Sequence, residues 1–189
     1  LFNENIAHNA MQTVFDDDLI DLNADYIITT DGDLIVDPGW LDEHIGVLDR
    51  HKDVFAIGTD LKTDNLPLNT FPDCKGWIPV VIEEHDDYIE GYCGHHLLAF
   101  RMENFVGFLN WRKKKNVAFL DTQIGIYSKE LGMTWGRTKF CKSIHWTWTL
   151  YQDANHPYTR YKIEYPWIWH NKNKSEYVVY EKLDDAQQD

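Results

Sequence analysis

Cysteine is scarce in this chain. Cys74, Cys93 and Cys141 are the only three in 189 residues, too few and too scattered for a disulfide framework. None forms a CxxC pair, which argues against a zinc site built on cysteine. Reduced thiols of this kind fit a cytoplasmic protein. Basic residues are also short: Lys plus Arg number 18 against 31 Asp plus Glu, a formal charge of −13. So acidic a surface repels phosphate backbones and anionic lipid, which argues against a nucleic-acid binder and against docking on membranes. No apolar run approaches the ~20 residues that cross a bilayer. Repeats, low-complexity stretches and a signal-peptide pattern are missing as well. The first residue is Leu1 rather than Met, which reads as a processed product or a piece of something longer.

What is present is ordinary globular composition, 43% hydrophobic and 26% charged, which rules out wholesale disorder. The length suits one domain with an extension. Ile6, Ala7, Ala10, Met11, Val14, Phe15 and Leu19 form a 3.6-period stripe that predicts a helix over 5–22. Tyr26–Thr30 reads as a buried strand. Asp37 as N-cap and Pro38 in the first turn predict a helix to about His51, and Val54–Gly58 reads as a second strand. This alternation implies an α/β fold, a mostly parallel sheet with flanking helices. In such sheets ligands sit beyond the carboxyl ends of the strands, where Asp31 and Asp33 fall.

Further along, 60–76 reads as a loop, with strands expected at Trp77–Ile82 and His96–Arg101 and a tight turn at 91–94. Val117–Leu120 predicts a short strand. Asp121 opens a helix to about Leu131, closed by Gly132. Thr138–Trp148 reads as a strand. From Tyr158 onward aromatics alternate with charge without a helical period. That stretch reads as irregular and packed by its rings, and the division is 1–148 as the domain and 149–189 as an aromatic-rich C-terminal extension packed on it.

Asp31-Gly32-Asp33 is the sharpest chemical feature. Two carboxylates in close contact raise one pKa unless a cation sits between them. Carboxylate oxygens suit Mg²⁺ or Mn²⁺, and Gly32 lets the backbone approach a phosphate. The competing reading is a solvated Asp-Gly turn. Asp121, at a helix start after a strand, reads either as an N-cap or as a general base. His145 lies among aromatics, where a histidine is more often structural than a metal ligand. His95 and His96 face opposite sides of a strand, so at most one looks into a given site. Among the 27 aromatics, Trp77, Trp111, Trp135, Trp146 and Trp148 offer stacking faces, although most such rings belong to cores. Arg112-Lys113-Lys114-Lys115 reads as a solvated turn.

Ile28-Thr29-Thr30-Asp31-Gly32-Asp33, with Pro38-Gly39-Trp40-Leu41 after it, resembles GT-A glycosyltransferases, particularly the family-2-like group. Gly94-His95-His96-Leu97-Leu98-Ala99-Phe100-Arg101 looks like that family's sugar-facing strand. Phe119-Leu120-Asp121-Thr122-Gln123-Ile124-Gly125, with Leu131-Gly132, is similar to its acidic helix start, with Leu120 where the family often has a first acid. The resemblance covers roughly residues 3–148. It implies a metal-dependent transferase that moves one sugar from a UDP- or GDP-linked donor to a glycan or other hydroxyl acceptor, with inversion.

Asp31 and Asp33 would then hold Mn²⁺ or Mg²⁺, with His145 completing the metal shell. Asp31, Gly32, Asp33, Gly94 and His95 would meet the donor, and Asp121 would deprotonate the acceptor. The processive Gln-x-x-Arg-Trp signature is absent, which favours single-sugar transfer. The strand–helix units that bind the nucleoside in such enzymes have no counterpart here, so the implied GT-A domain is incomplete at its N-terminus. A sugar nucleotidyltransferase, a non-catalytic carbohydrate-binding module and a structural remnant stay open as alternatives, as does a homo-oligomer.

Overall fold

The computed structural model describes residues 10–72, 74, 81–91, 94, 96–116 and 121–164. The elements in chain order are α1 (Ala10–Asp16), β1 (Tyr26–Thr30), β2 (Leu34–Val36), α2 (Trp40–Arg50), β3 (Val54–Leu61), β4 (Val81–Glu84) and β5 (Tyr88–Gly91). They continue with β6 (Leu97–Arg101), α3 (Met102–Lys115), α4 (Asp121–Glu130), β7 (Thr134–His145), α5 (Thr147–Tyr151) and α6 (Pro157–Glu164).

The seven strands form one sheet in the order β1-β6-β3-β7-β5-β4, with β2 paired to β7 off this path. Among the described residues only β3 and β7 pair in parallel; the other pairings are antiparallel. The fold is α/β with flanking helices, but its sheet is mixed and mostly antiparallel, which corrects the mostly parallel expectation. The reason is the place of β6. β1 and β3 run in the same direction, as helix–strand alternation requires, but β6 lies between them and is antiparallel to both.

Side-chain alternation along β1, β3 and β6 feeds a different apolar cluster on each face. On one face Phe55, Leu98 and Phe100 pack against Phe105, Phe108 and Leu109 of α3 and Ile124 of α4, with Met11 and Phe15 of α1 alongside. On the other, Ala99, Val54 and Ile57 meet Val47 and Leu48 of α2, with Tyr26 and Ile28 beside them. The sheet is therefore covered on both sides, the arrangement that lets its central strands be almost wholly apolar.

Three local expectations are corrected. Asp37 does not cap α2: Gly39 takes the cap position in the left-handed region at φ 82°. Asp37 instead accepts from Lys62 Nζ at 2.8 Å and from the Lys142 amide at 3.1 Å. The basic run Arg112–Lys115 is no turn but the last turn of α3, where cations oppose the helix dipole favourably. Arg112 itself is buried. The region from Tyr158 is not irregular as far as it is described: it lies in α6, which follows α5. Trp148 and Tyr151 of α5 join Leu61, Leu66 and Cys74 in a third cluster. Among the described residues no helix is long and apolar enough to cross a membrane.

Candidate metal centre

β1 ends at Thr30, and the chain turns directly into Asp31-Gly32-Asp33 before β2. Two backbone bonds fix that turn. The Asp31 amide donates to the His96 carbonyl at 2.7 Å, and the Asp33 carbonyl accepts from the Trp146 amide at 2.8 Å. His96 precedes β6 and Trp146 follows β7, so the turn is held from both sides. β2 then pairs with the end of β7, with Leu34 opposite His145. This register carries His145 to the paired acids although it is remote from them in sequence.

The result is a three-residue constellation. One ligand atom each from Asp31, Asp33 and His145 lies within 4.8 Å of the others. His145 Nδ1 is 3.3 Å from Asp33 Oδ2. Adjacent ligand atoms around an octahedral ion with 2.1 Å bonds are ~3 Å apart, so this pair already matches one coordination edge. Asp33 and His145 are part-buried, with side-chain exposures of 32% and 19%. Two carboxylates and one imidazole are a donor set that can hold a divalent metal ion.

The surroundings restrain these ligands. Thr147 Oγ1 donates to Asp33 Oδ2. The His145 ring stacks on Trp148 with centroids 5.3 Å apart and planes 6° from parallel. Asn65 Nδ2 donates to the His145 carbonyl at 3.0 Å. The His96 ring stands edge-on to His145, 6.5 Å between centroids, and its Nε2–H donates to the Thr59 carbonyl at 3.3 Å. Burial raises the Tyr151 phenol far above its ordinary value, assisted by Tyr158 and by the negative charge of Asp33. The hydroxyl of Tyr151 is therefore protonated throughout the ordinary pH range.

The other expected site residues fall as follows. Gly32 is open: a Cβ there would meet nothing within 4 Å. Gly94 is tight instead, because a Cβ would fall 2.5 Å from His96 Nδ1, so glycine is needed there for packing. His95 lies outside the described residues, as do Cys93, Trp77 and the expected strand 117–120. The backbone of Asp121 opens α4 as expected, and its side chain lies outside the described residues. Gly132, at φ 69°, closes that helix as expected.

Sequence reasoning missed Thr147, Asn65 and the part played by His96. Nothing in the pattern marks the first two. Strand alternation after Gly94 carried a partial signal for His96, since it allowed one histidine of the pair to face the site.

The chain is similar to three uncharacterized proteins of Acanthamoeba polyphaga mimivirus. It is 35% identical to protein L137 over 196 residues, covering all of this chain and 27% of that protein. It is 32% identical to protein L142 over 187 residues, 96% of this chain and 38% of that protein. Protein L138 matches at 35% identity over 162 residues, 84% of this chain and 18% of that protein. This chain thus spans between 18% and 38% of the length of these relatives. No family model and no solved structure matches it.

Proposed function

We propose that this chain is the metal- and diphosphate-binding part of a GT-A-type glycosyltransferase that moves a single sugar from a UDP- or GDP-linked donor to an acceptor hydroxyl. The convergence of Asp31, Asp33 and His145 carries this reading. The resemblance implies these three as metal ligands, the acids stand out by their spacing as well, and the register of β2 on β7 brings His145 beside them.

Asp31, Asp33 and His145 would hold Mn²⁺ or Mg²⁺, which when bound supplies positive charge to offset that on the departing diphosphate. Gly32 leaves open space beside the acids for a phosphate oxygen. Asp121 takes the proton of the acceptor hydroxyl. The acceptor oxygen bonds to the anomeric carbon as the bond from that carbon to the diphosphate oxygen breaks. The electron pair leaves with the nucleoside diphosphate, and the anomeric centre inverts.

The test is thermal unfolding of the chain with Mn²⁺ and UDP or GDP. A ligand at 100 times its Kd stabilises by ~2.7 kcal/mol, and each kcal/mol raises the Tm of a chain this long by ~2–4 °C. A rise of about 5–11 °C is expected in the wild type, and Asp33→Ala abolishes it. No rise with either nucleotide at millimolar concentration overturns the reading. In a transfer assay Asp121→Asn removes product formation and spares nucleotide binding.

A further inference from the structure

α5 is only five residues long, yet its first two side chains both reach the candidate metal ligands. Thr147 bonds to Asp33, and Trp148 stacks on His145. The backbone of His145 is fixed without this help, by its register opposite Leu34 and by Asn65. What the backbone leaves open is the plane of the imidazole, because the outer torsion of a histidine is broad and roughly twofold. A parallel aromatic neighbour removes that freedom only if it cannot itself turn. Trp148 meets the condition: it is 6% exposed and lodged with Leu61, Leu66, Cys74 and Tyr151. With the ring plane set by the indole, Nδ1 stands 3.3 Å from Asp33 Oδ2.

We infer that Trp148 is a positioning residue for the metal centre, holding the His145 ring in the plane in which Nδ1 lies beside Asp33. The inference rests on Asp31, Asp33 and His145 being a divalent-cation site. It adds that the site's affinity is set from the hydrophobic cluster behind it, and not by the three ligands alone. Residues that orient metal ligands typically control affinity by 10–100-fold.

The experiment is calorimetric titration of the full chain with Mn²⁺ alone, alongside Tm measurements. The proteins compared are the wild type, Trp148→Phe, Trp148→Leu and Leu66→Ala. Phenylalanine keeps a flat face for the imidazole, and leucine fills space without one. Leu66→Ala opens the same cluster from the loop side. The expected result is Mn²⁺ affinity within about threefold of wild type for Trp148→Phe, a loss of roughly 10–100-fold for Trp148→Leu, and a loss between the two for Leu66→Ala, which loosens the pocket that holds the indole. All three variants have lower Tm, so Tm alone does not separate them.

Equal affinity in Trp148→Leu and wild type overturns the positioning role. So does an equal loss in Trp148→Phe and Trp148→Leu, which assigns the effect to core volume. Wild-type affinity in Leu66→Ala overturns the claim that the cluster behind the indole sets the site's affinity. A wild-type chain that binds no Mn²⁺ overturns the metal site itself, an outcome distinct from the others.

Discussion

Arg101 closes β6 with its side chain buried, 9% exposed, and spends its donors on carbonyl oxygens. Nη1 donates to Val54 O at 2.9 Å, and Nη2 donates to His51 O at 2.8 Å and to Leu48 O. Leu48 and His51 lie at the C-terminal end of α2, where carbonyls lack partners within the helix and the dipole favours a cation. Arg101→Met keeps the apolar stem and removes every one of these donors. Hydrogen bonds to charged groups contribute ~1.5–3 kcal/mol each, while removing the guanidinium also relieves its desolvation cost. The net loss is about 3 kcal/mol, or a Tm lower by ~6–12 °C for a chain of this length.

Urea unfolding at equilibrium measures the loss directly. β1 pairs Tyr26 with Arg101 at one end and Thr30 with Leu97 at the other, four strand steps or ~14 Å away. The acids follow Thr30, so Mn²⁺ affinity of the folded Arg101→Met protein stays at the wild-type value. A stability loss below 1 kcal/mol would refute the reasoning, since it would mean that water or a backbone shift replaces the guanidinium at no cost.

Other perturbations test other links. A Cβ at Gly136 would fall 2.3 Å from the Ile89 carbonyl oxygen, so Gly136→Ala forces β5 away from β7; a loss of ~2–3 kcal/mol in urea unfolding is expected. Burial lowers the His44 pKa below its ordinary 6.5, outweighing the bond to the Trp40 carbonyl and the nearby Glu43, which both raise it. Below pH 6.5 the unfolded chain takes up a proton that folded His44 refuses, so stability falls as pH drops from 6.5. His44→Asn flattens that part of the stability profile, measured by urea unfolding from pH 7 to pH 5. Trp146 is 50% exposed and its amide holds the Asp33 carbonyl. Its fluorescence, with that of Trp148 against His145, changes on Mn²⁺ and nucleotide binding, and Trp146→Phe removes only its own part of the change while affinity is retained.

The sequence was most legible where one element carried one period. Tyr26–Thr30 is the strand that its β-branched run predicts, and α4 ends near the glycine that marks it. α3 was missed although Met102, Phe105, Phe108, Leu109 and Arg112 recur at helical spacing and are all buried. The four-residue basic run drew the eye to a turn. β2 and β5, with three and four residues, are too short for alternation to stand out. The order of strands was hidden for a different reason: nothing local to β6 says that it inserts between β1 and β3. The site was half legible. Paired acids after a strand are visible as a pattern, and so is a lone histidine. Their meeting depends on β2 registering against β7, and the contacts from Thr147 and Asn65 depend on where α5 and the loop before Cys74 come to rest.

β7 is the longest strand of the sheet at twelve residues, and it changes partners along its length. β5 pairs with its early residues, β3 pairs with it on both sides of a register shift, as far as Ser143, and β2 pairs with its last three residues. Between them the amides of Lys139, Phe140 and Cys141 all donate to the carboxylate of Glu43, which pins the bend to α2. A single residue inserted or deleted there would reverse the side on which every later side chain projects, turning His145 away from Asp33 while the core of the sheet stayed whole. Changes of chain length are thus not tolerated in this clamp, and the spacing from Glu43's anchor to His145 is a fixed dimension of the protein.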